Sequence, residues 1–194
     1  MPRFDQRLGF TRAEADEYYR RALEAYKKGQ FDVAIDALTE AIELWPGRSE
    51  YYAARGLIYF QDGVDDKAAA DFDTALKHFP YEMLGHYGKG MLAYKARNWE
   101  EAIRHFTQAH YIDPQRPETL YYLALAYFHA GDRTHAANYM ALAHQIFEAS
   151  GHRYKTYSGR WIKELEKSLA RKPESGSPSL PQQQTLPLLG EENT

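Results

Sequence analysis

Residues 83–116 read MLGHYGKGMLAYKARNWEEAIRHFTQAHYIDPQR, and the fold of the chain is decided there. In the first half Leu84, Tyr87, Gly88, Met91 and Tyr94 recur at steps of three and four, the spacing that lines one face of a helix. Lys95-Ala96-Arg97-Asn98 is a polar break. From Trp99 onward Ala102, Ile103, Phe106, Ala109 and Ile112 resume the same period, which predicts a second helix over 99–112. Asp113-Pro114 ends it, because the residue before a proline avoids the helical region. Two helices joined by so short a break lie antiparallel, as a hairpin.

The stretch is not unique in the chain. Moved by 34 residues, Ala102 falls on Ala34, Ala68 and Ala136, and Ala109 on Ala41, Ala75 and Ala143. Gly90 falls on Ala22, Gly56, Ala124 and Ser158. Phe106 falls on Leu38, Phe72 and Met140, and Pro114 on Pro46 and Pro80. Gly29, Gly63 and Gly131 share the turn between helices, where Arg97 is the exception. Small residues held in register have a physical reason, since helix axes approach closely only where the side chain is small. This set of small, aromatic and proline columns resembles the tetratricopeptide repeat family over roughly residues 15–150, with a closing helix after it. The resemblance implies an all-α fold, a right-handed superhelical solenoid of antiparallel helix hairpins.

Composition sets the outer bounds. The 194 residues carry a net charge of −3 with 26% charged residues, which speaks against a basic nucleic-acid binder. There are no cysteines, so disulfides, thiolate catalysis and cysteine-ligated metal are excluded. The opening MPRFDQRLGF lacks a long apolar core, and no run has the length of a membrane-spanning helix. The expected setting is the cytoplasm, with no membrane and no nucleic-acid partner.

In chain order, residues 1–11 read as a short lead and residues 12–171 as the repeat domain. Thr11-Arg12-Ala13-Glu14 has the form of a capping box, which predicts that the first helix starts there. The repeats fall at about 15–48, 49–82, 83–116 and 117–150. Pro117 suits the first turn of a helix, and Gly151 a left-handed stop. A last amphipathic helix, about 152–171, places Tyr154, Tyr157, Trp161, Leu165 and Leu169 on one face. It is expected to cap the apolar flank of the final repeat. Gly159 inside it either allows a bend or costs helix stability. Residues 172–194, rich in proline, serine and glutamine, read as a disordered tail.

Nothing in the chain spells out catalysis. The histidines, His78, His86, His105, His110, His129, His135, His144 and His152, are scattered and show no metal-ligand spacing. Gly85-His86-Tyr87-Gly88-Lys89-Gly90 matches no phosphate-loop spacing. Asp62, Asp65, Asp66, Asp71 and Asp73 lack the calcium-loop offsets, and read as acids favoured at the start of a helix. No catalytic residue, metal or cofactor is expected.

What the resemblance implies instead is a concave face, lined by the second, fifth, ninth, twelfth and thirteenth positions of each repeat. Here the fifth positions are Tyr19, Ala53, Tyr87 and Tyr121. The ninth are Leu23, Leu57, Met91 and Leu125, and the twelfth Tyr26, Phe60, Tyr94 and Phe128. Within each helix these lie on one stripe. The predicted peptide-binding groove is therefore Tyr19, Leu23, Tyr26, Leu57, Phe60, Tyr87, Met91, Tyr94, Tyr121, Leu125 and Phe128. The co-chaperone branch of the family binds a C-terminal carboxylate through lysines, arginines and asparagines at set positions. This chain offers Tyr19, Leu23, Ala54, Leu84 and Gly88 there, or Ala53, Leu57, Gly88, Glu118 and Tyr122 one repeat later. Neither register supplies the charge. The expectation is a non-enzymatic adaptor or chaperone-like module that binds a protein or peptide partner in an apolar, aromatic groove. The other reading is a structural subunit that forms a homo-oligomer or anchors in a larger complex.

Overall fold

A computed structural model describes residues 4–170, with side chains from residue 11 onward. Its elements, among the described residues, are nine helices: α1 (Phe4–Lys27), α2 (Phe31–Leu44), α3 (Ser49–Gln61), α4 (Asp65–His78), α5 (Met83–Lys95), α6 (Trp99–Ile112), α7 (Pro117–His129), α8 (Arg133–Ala149) and α9 (Lys155–Ala170). They follow one another as antiparallel helix pairs with a ninth helix at the end. The tail expected at residues 172–194 lies outside the described residues.

The turns within the pairs share one geometry. Gly29, Gly63 and Gly131 take φ of 71°, 82° and 90°, the left-handed conformation that glycine adopts without steric penalty. Around Gly131 its amide donates to Phe128 O at 3.1 Å, and the Asp132 amide to Tyr127 O at 2.9 Å. These two bonds satisfy carbonyls that the helix end leaves open. Arg97, which breaks the glycine column, does not break the turn. Its φ is 59°, and the Arg97 and Asn98 amides reach Tyr94 O and Ala93 O at 3.0 and 2.9 Å. Asn98 compensates at the next helix by accepting from the Glu101 amide. Gly151 ends α8 in the same way, with φ of 66°.

The start of α1 corrects the sequence reading. The helix begins at Phe4, so Thr11 lies in its interior and does not cap it. The capping signal is local, and no proline stands between Pro2 and Thr11 to stop the helix from continuing toward the N-terminus.

The chain divides into two compact units, residues 4–92 and 93–170, with the division inside α5. In the first, Ala22, Ala34, Leu38, Ala41, Ala54, Ile58, Ala68, Phe72 and Ala75 are fully buried. Phe72 explains two glycines. A Cβ on Gly56 would stand 2.7 Å from its ring, and one on Gly88 2.1 Å, so both must be glycine for α3 and α5 to close on α4. Gly88 thus serves packing within a helix, and the glycine-rich run around it is no phosphate loop. The acidic run divides by role. Asp65 and Asp66 sit in the first turn of α4. Buried Asp71 accepts from both Nε and Nη2 of Arg55 at 2.8 Å, and Asp73 pairs with Lys89.

In the second unit Ala102, Phe106, Ala109, Ala136, Met140 and Ala143 are fully buried. Helix α9 covers α8 and closes this core. Its buried face is Ser158, Trp161, Leu165 and Ser168, with Tyr154 buried just before it, whereas Tyr157 is part-exposed and Leu169 is exposed. The face is rotated from the predicted one because Ser158, in the small-residue column, is the residue that meets the neighbouring helix. Its hydroxyl lies 2.9 Å from His144 Nδ1. Gly159 leaves room for that histidine, at 3.4 Å from where a Cβ would be.

Candidate partner-binding face

The predicted groove residues separate into two sets. In the first unit Tyr26, Leu57, Tyr87 and Met91 are buried, as is Ala53. In the second, Tyr121 and Leu125 are buried. These six groove candidates are core. A side chain enclosed by its own neighbours offers no surface to a partner, and the ninth position in particular fills space between helices. Tyr19, Leu23, Phe60, Tyr94 and Phe128 keep part of their surface. They are the accessible members of the stripe.

Around Tyr19 the chemistry is acidic. Its ring lies 5.3 Å from that of Tyr51. Burial pushes its phenol up to about 12, and the nearby carboxylates of Glu50 and Glu82 push in the same direction. Glu82 is itself raised, chiefly by burial, although Ser49 donates to it at 2.7 Å. Tyr51 donates to Asp16 at 2.6 Å, and burial with that bond raises its phenol too. Tyr26 donates to Gln61 at 2.6 Å and so fixes α1 to the end of α3 next to Phe60. Arg12 and Arg48 both lie over the Trp45 ring, at 4.7 and 5.1 Å. Asp16 and Glu50 hold the second position of their repeats. Glu82 comes from the turn before α5, so repeat position gives no sign that it meets them.

In the second unit the stripe is aromatic and largely self-occupied. Tyr94 meets Trp99, Tyr122 and His129 at 5.3, 5.7 and 5.8 Å, edge to face. Trp99 stacks on His129 at 4.6 Å. Burial there, with Arg97 nearby, lowers the His129 imidazole below its usual value. Phe128 lies 5.5 Å from Trp161, and Tyr121 lies close to the same tryptophan. Burial pushes the Tyr121 phenol up to about 12. The closing helix therefore covers this part of α7.

The histidines have structural neighbours. His78 stacks on Tyr52, His135 on Tyr127, and His152 on Phe147. Buried His105 contacts Glu101 at 3.1 Å. Among the described residues no group of three histidines or carboxylates is placed to hold a metal ion. No helix among them is long and apolar enough to cross a membrane.

A fold of antiparallel helix pairs with small residues at each crossing defines a helical-repeat protein-interaction domain. Tetratricopeptide repeat models match residues 19–82 and 84–116, which together are half of the sequence. The chain belongs to the tetratricopeptide repeat family. It is 32% identical over 92 residues to a repeat-containing thioredoxin, TDX, of Arabidopsis thaliana, a match over 47% of this chain and 24% of that protein. The chain thus spans about a quarter of that relative's length. A thermophilic repeat protein of Thermus thermophilus has the same fold, with a TM-score of 0.65 at 17% identity over 81% of this chain and 84% of that one. The first repeat domain of Spaghetti (RPAP3), bound to the HSP90 peptide SRMEEVD, superposes with a TM-score of 0.59 at 18% identity, over 62% and 98% of the two chains.

Proposed function

We propose that this protein is a non-enzymatic adaptor or chaperone-like module that holds an apolar segment of a partner protein against the accessible part of its concave stripe. The observation that carries this is the contrast along α1 and α3, where Tyr19, Leu23 and Phe60 keep exposed surface while the next stripe residues are buried. Accessible apolar groups beside tyrosine hydroxyls suit a peptide or helix whose backbone those hydroxyls fix. Peptide binding by the related Spaghetti domain supports the mode, but not the same ligand. Glu50 and Glu82 beside Tyr19 repel a carboxylate, and the basic clamp positions hold Tyr19, Leu23, Ala54, Leu84 and Gly88. The partner segment is therefore apolar and neutral to basic.

The other reading, a structural subunit, draws on exposed aromatics near the ends of repeats. Tyr81 is 61% exposed beside Phe79, and Tyr111 is 76% exposed. Affinity capture followed by binding isotherms tests the first reading. Leu23→Asp with Phe60→Asp should abolish binding of the captured partner, while Tyr81→Ser with Tyr111→Ser leaves it intact. The opposite pattern would move the function to the repeat ends.

A further inference from the structure

The fourth repeat carries a ridge of stacked rings. Tyr127 of α7 stacks on His135 at 5.0 Å and on Tyr139 at 5.6 Å, with interplanar angles of 22° and 9°. His110 of α6 meets Tyr139 edge to face at 6.0 Å. Tyr127, Tyr139 and His110 keep part of their surface, and His135 is exposed. The same columns hold Tyr59, Lys67 and Asp71 in the second repeat, and the first and third have Ala25 and Ala93 in place of the tyrosine of α7. The ridge therefore belongs to the repeat that the closing helix follows. Ser158 of α9 meets His144 of α8 at 2.9 Å, and Trp161 meets Phe128 at the end of α7. So α9 runs back along α8, and equal counts from the contact of Ser158 with His144 bring Ala170 level with Asp132 at the start of α8. His135 is nine residues from His144, which at about 100° a residue puts it on the opposite side of α8 from α9.

Beyond the described residues the sequence supplies an occupant of matching chemistry. Pro178-Ser179-Leu180-Pro181 sets two prolines one turn of a polyproline helix apart, so both face the same side. We propose that this segment of the chain docks on the ridge of His135, Tyr127 and Tyr139, with Pro178 and Pro181 against the rings. Proline-rich segments bind aromatic surfaces at low entropic cost, because the extended helix is formed beforehand, and tyrosine hydroxyls donate to the carbonyls that it leaves open. Reach is sufficient. The eight residues from Ala170 to Pro178 span about 25 Å in that form. Passing from α9 round the start of α8 takes about 20 Å, with helix axes about 9 Å apart and a helix about 10 Å wide. Attachment to the same chain gives an effective concentration on the order of 1 mM, enough to fill a weak site. The ridge shares no residue with Tyr19, Leu23 and Phe60, so it stands or falls apart from the proposed groove.

Nuclear magnetic resonance of the full chain tests this. Amide signals of Ser179 and Leu180 should lie away from random-coil values, and Tyr139→Ser should return them there. His135→Ala, on exposed surface, reads the same loss without touching the core. Pro178→Ala with Pro181→Ala should move the ring signals of Tyr139 and His135, whereas Pro187→Ala leaves them in place. A peptide of residues 175–183 added in trans should bind the chain that carries both Pro178→Ala and Pro181→Ala, with shifts at residues 127–139. It should bind the parent chain about tenfold more weakly, because the site there is filled. Random-coil signals for Ser179 and Leu180 that neither ring variant moves would overturn the proposal. So would equal peptide binding to both chains, which would leave the ridge open to a proline-rich partner. Ring shifts that grow with protein concentration would give the site to a second copy's segment and overturn docking within one chain.

Discussion

On α1, Tyr19 is part-exposed, stands beside Tyr51 and faces the carboxylates of Glu50 and Glu82. On α7, Tyr121 holds the same place in its repeat but is 3% exposed, beneath Trp161 of the closing helix. Burial holds both phenols at about 12. The surroundings differ in sign, with acids around the first, and Arg153 and Arg160 at the start of the segment that covers the second. Repeat position thus fixes which face of a helix a residue occupies. What is laid against that face decides whether the residue stays accessible or fills a core.

The sharpest way to break this contrast is to uncover Tyr121. Trp161→Ala should destabilise the protein by about 4 kcal/mol in chemical denaturation, because it empties a large core site. The same variant should bring the Tyr121 phenol down from about 12 toward its ordinary value, visible by ultraviolet titration of the folded state. The linkage has a definite sign. A phenol with its folded value above its unfolded value of 10 stabilises the fold fully below pH 10, and the contribution is lost as pH rises toward 12. Parent protein should accordingly lose stability between pH 10 and 12, and Tyr121→Phe should lose less.

A second difference lies one layer deeper. Arg55 and Asp71 form a forked ion pair, supported by Thr39 at 3.0 Å. The same columns of the fourth repeat hold Leu123 and Tyr139. Asp71→Ala should cost about 3 kcal/mol, since it strands a guanidinium in a largely enclosed site. Replacing both partners by leucine should recover most of that loss. A single variant no worse than the double would show that the pair contributes nothing as a pair.

Ala102→Leu should cost about 2 kcal/mol, because its site on α6 is closed and the helices cannot separate without losing neighbouring contacts. An unchanged urea midpoint would displace the register of the small-residue columns. The smallest effect concerns the turns. Arg97→Gly should raise stability by about 1 kcal/mol, as it relieves a left-handed residue that carries a Cβ. Gly131→Ala should lower it by a similar amount.

The helix pairs were legible because their causes are local and repeated. Apolar residues at steps of three and four make helices, and the prolines after α2, α4 and α6 end them wherever they occur. Ala102 and its equivalents showed where the helices cross. Arg97 shows where a column read too literally misleads. The sequence marks it as a departure, yet the turn forms around it, because the hydrogen bonds of the helix end outweigh the cost of one strained residue. Thr11 shows the reverse, a valid local signal overridden because nothing before it stops the helix.

The sequence alone therefore determined the class of fold, the place of each hairpin and the stripe from which any concave face must be drawn. Tertiary structure alone decided which stripe residues remain available. Leu23 and Leu57 share a repeat position, but one is part-exposed and the other enclosed. It also decided that Glu82 joins Glu50 beside Tyr19, and that Trp161 covers Tyr121. Exposure is a property of neighbours in space, and periodicity along a chain carries no information about which neighbour arrives.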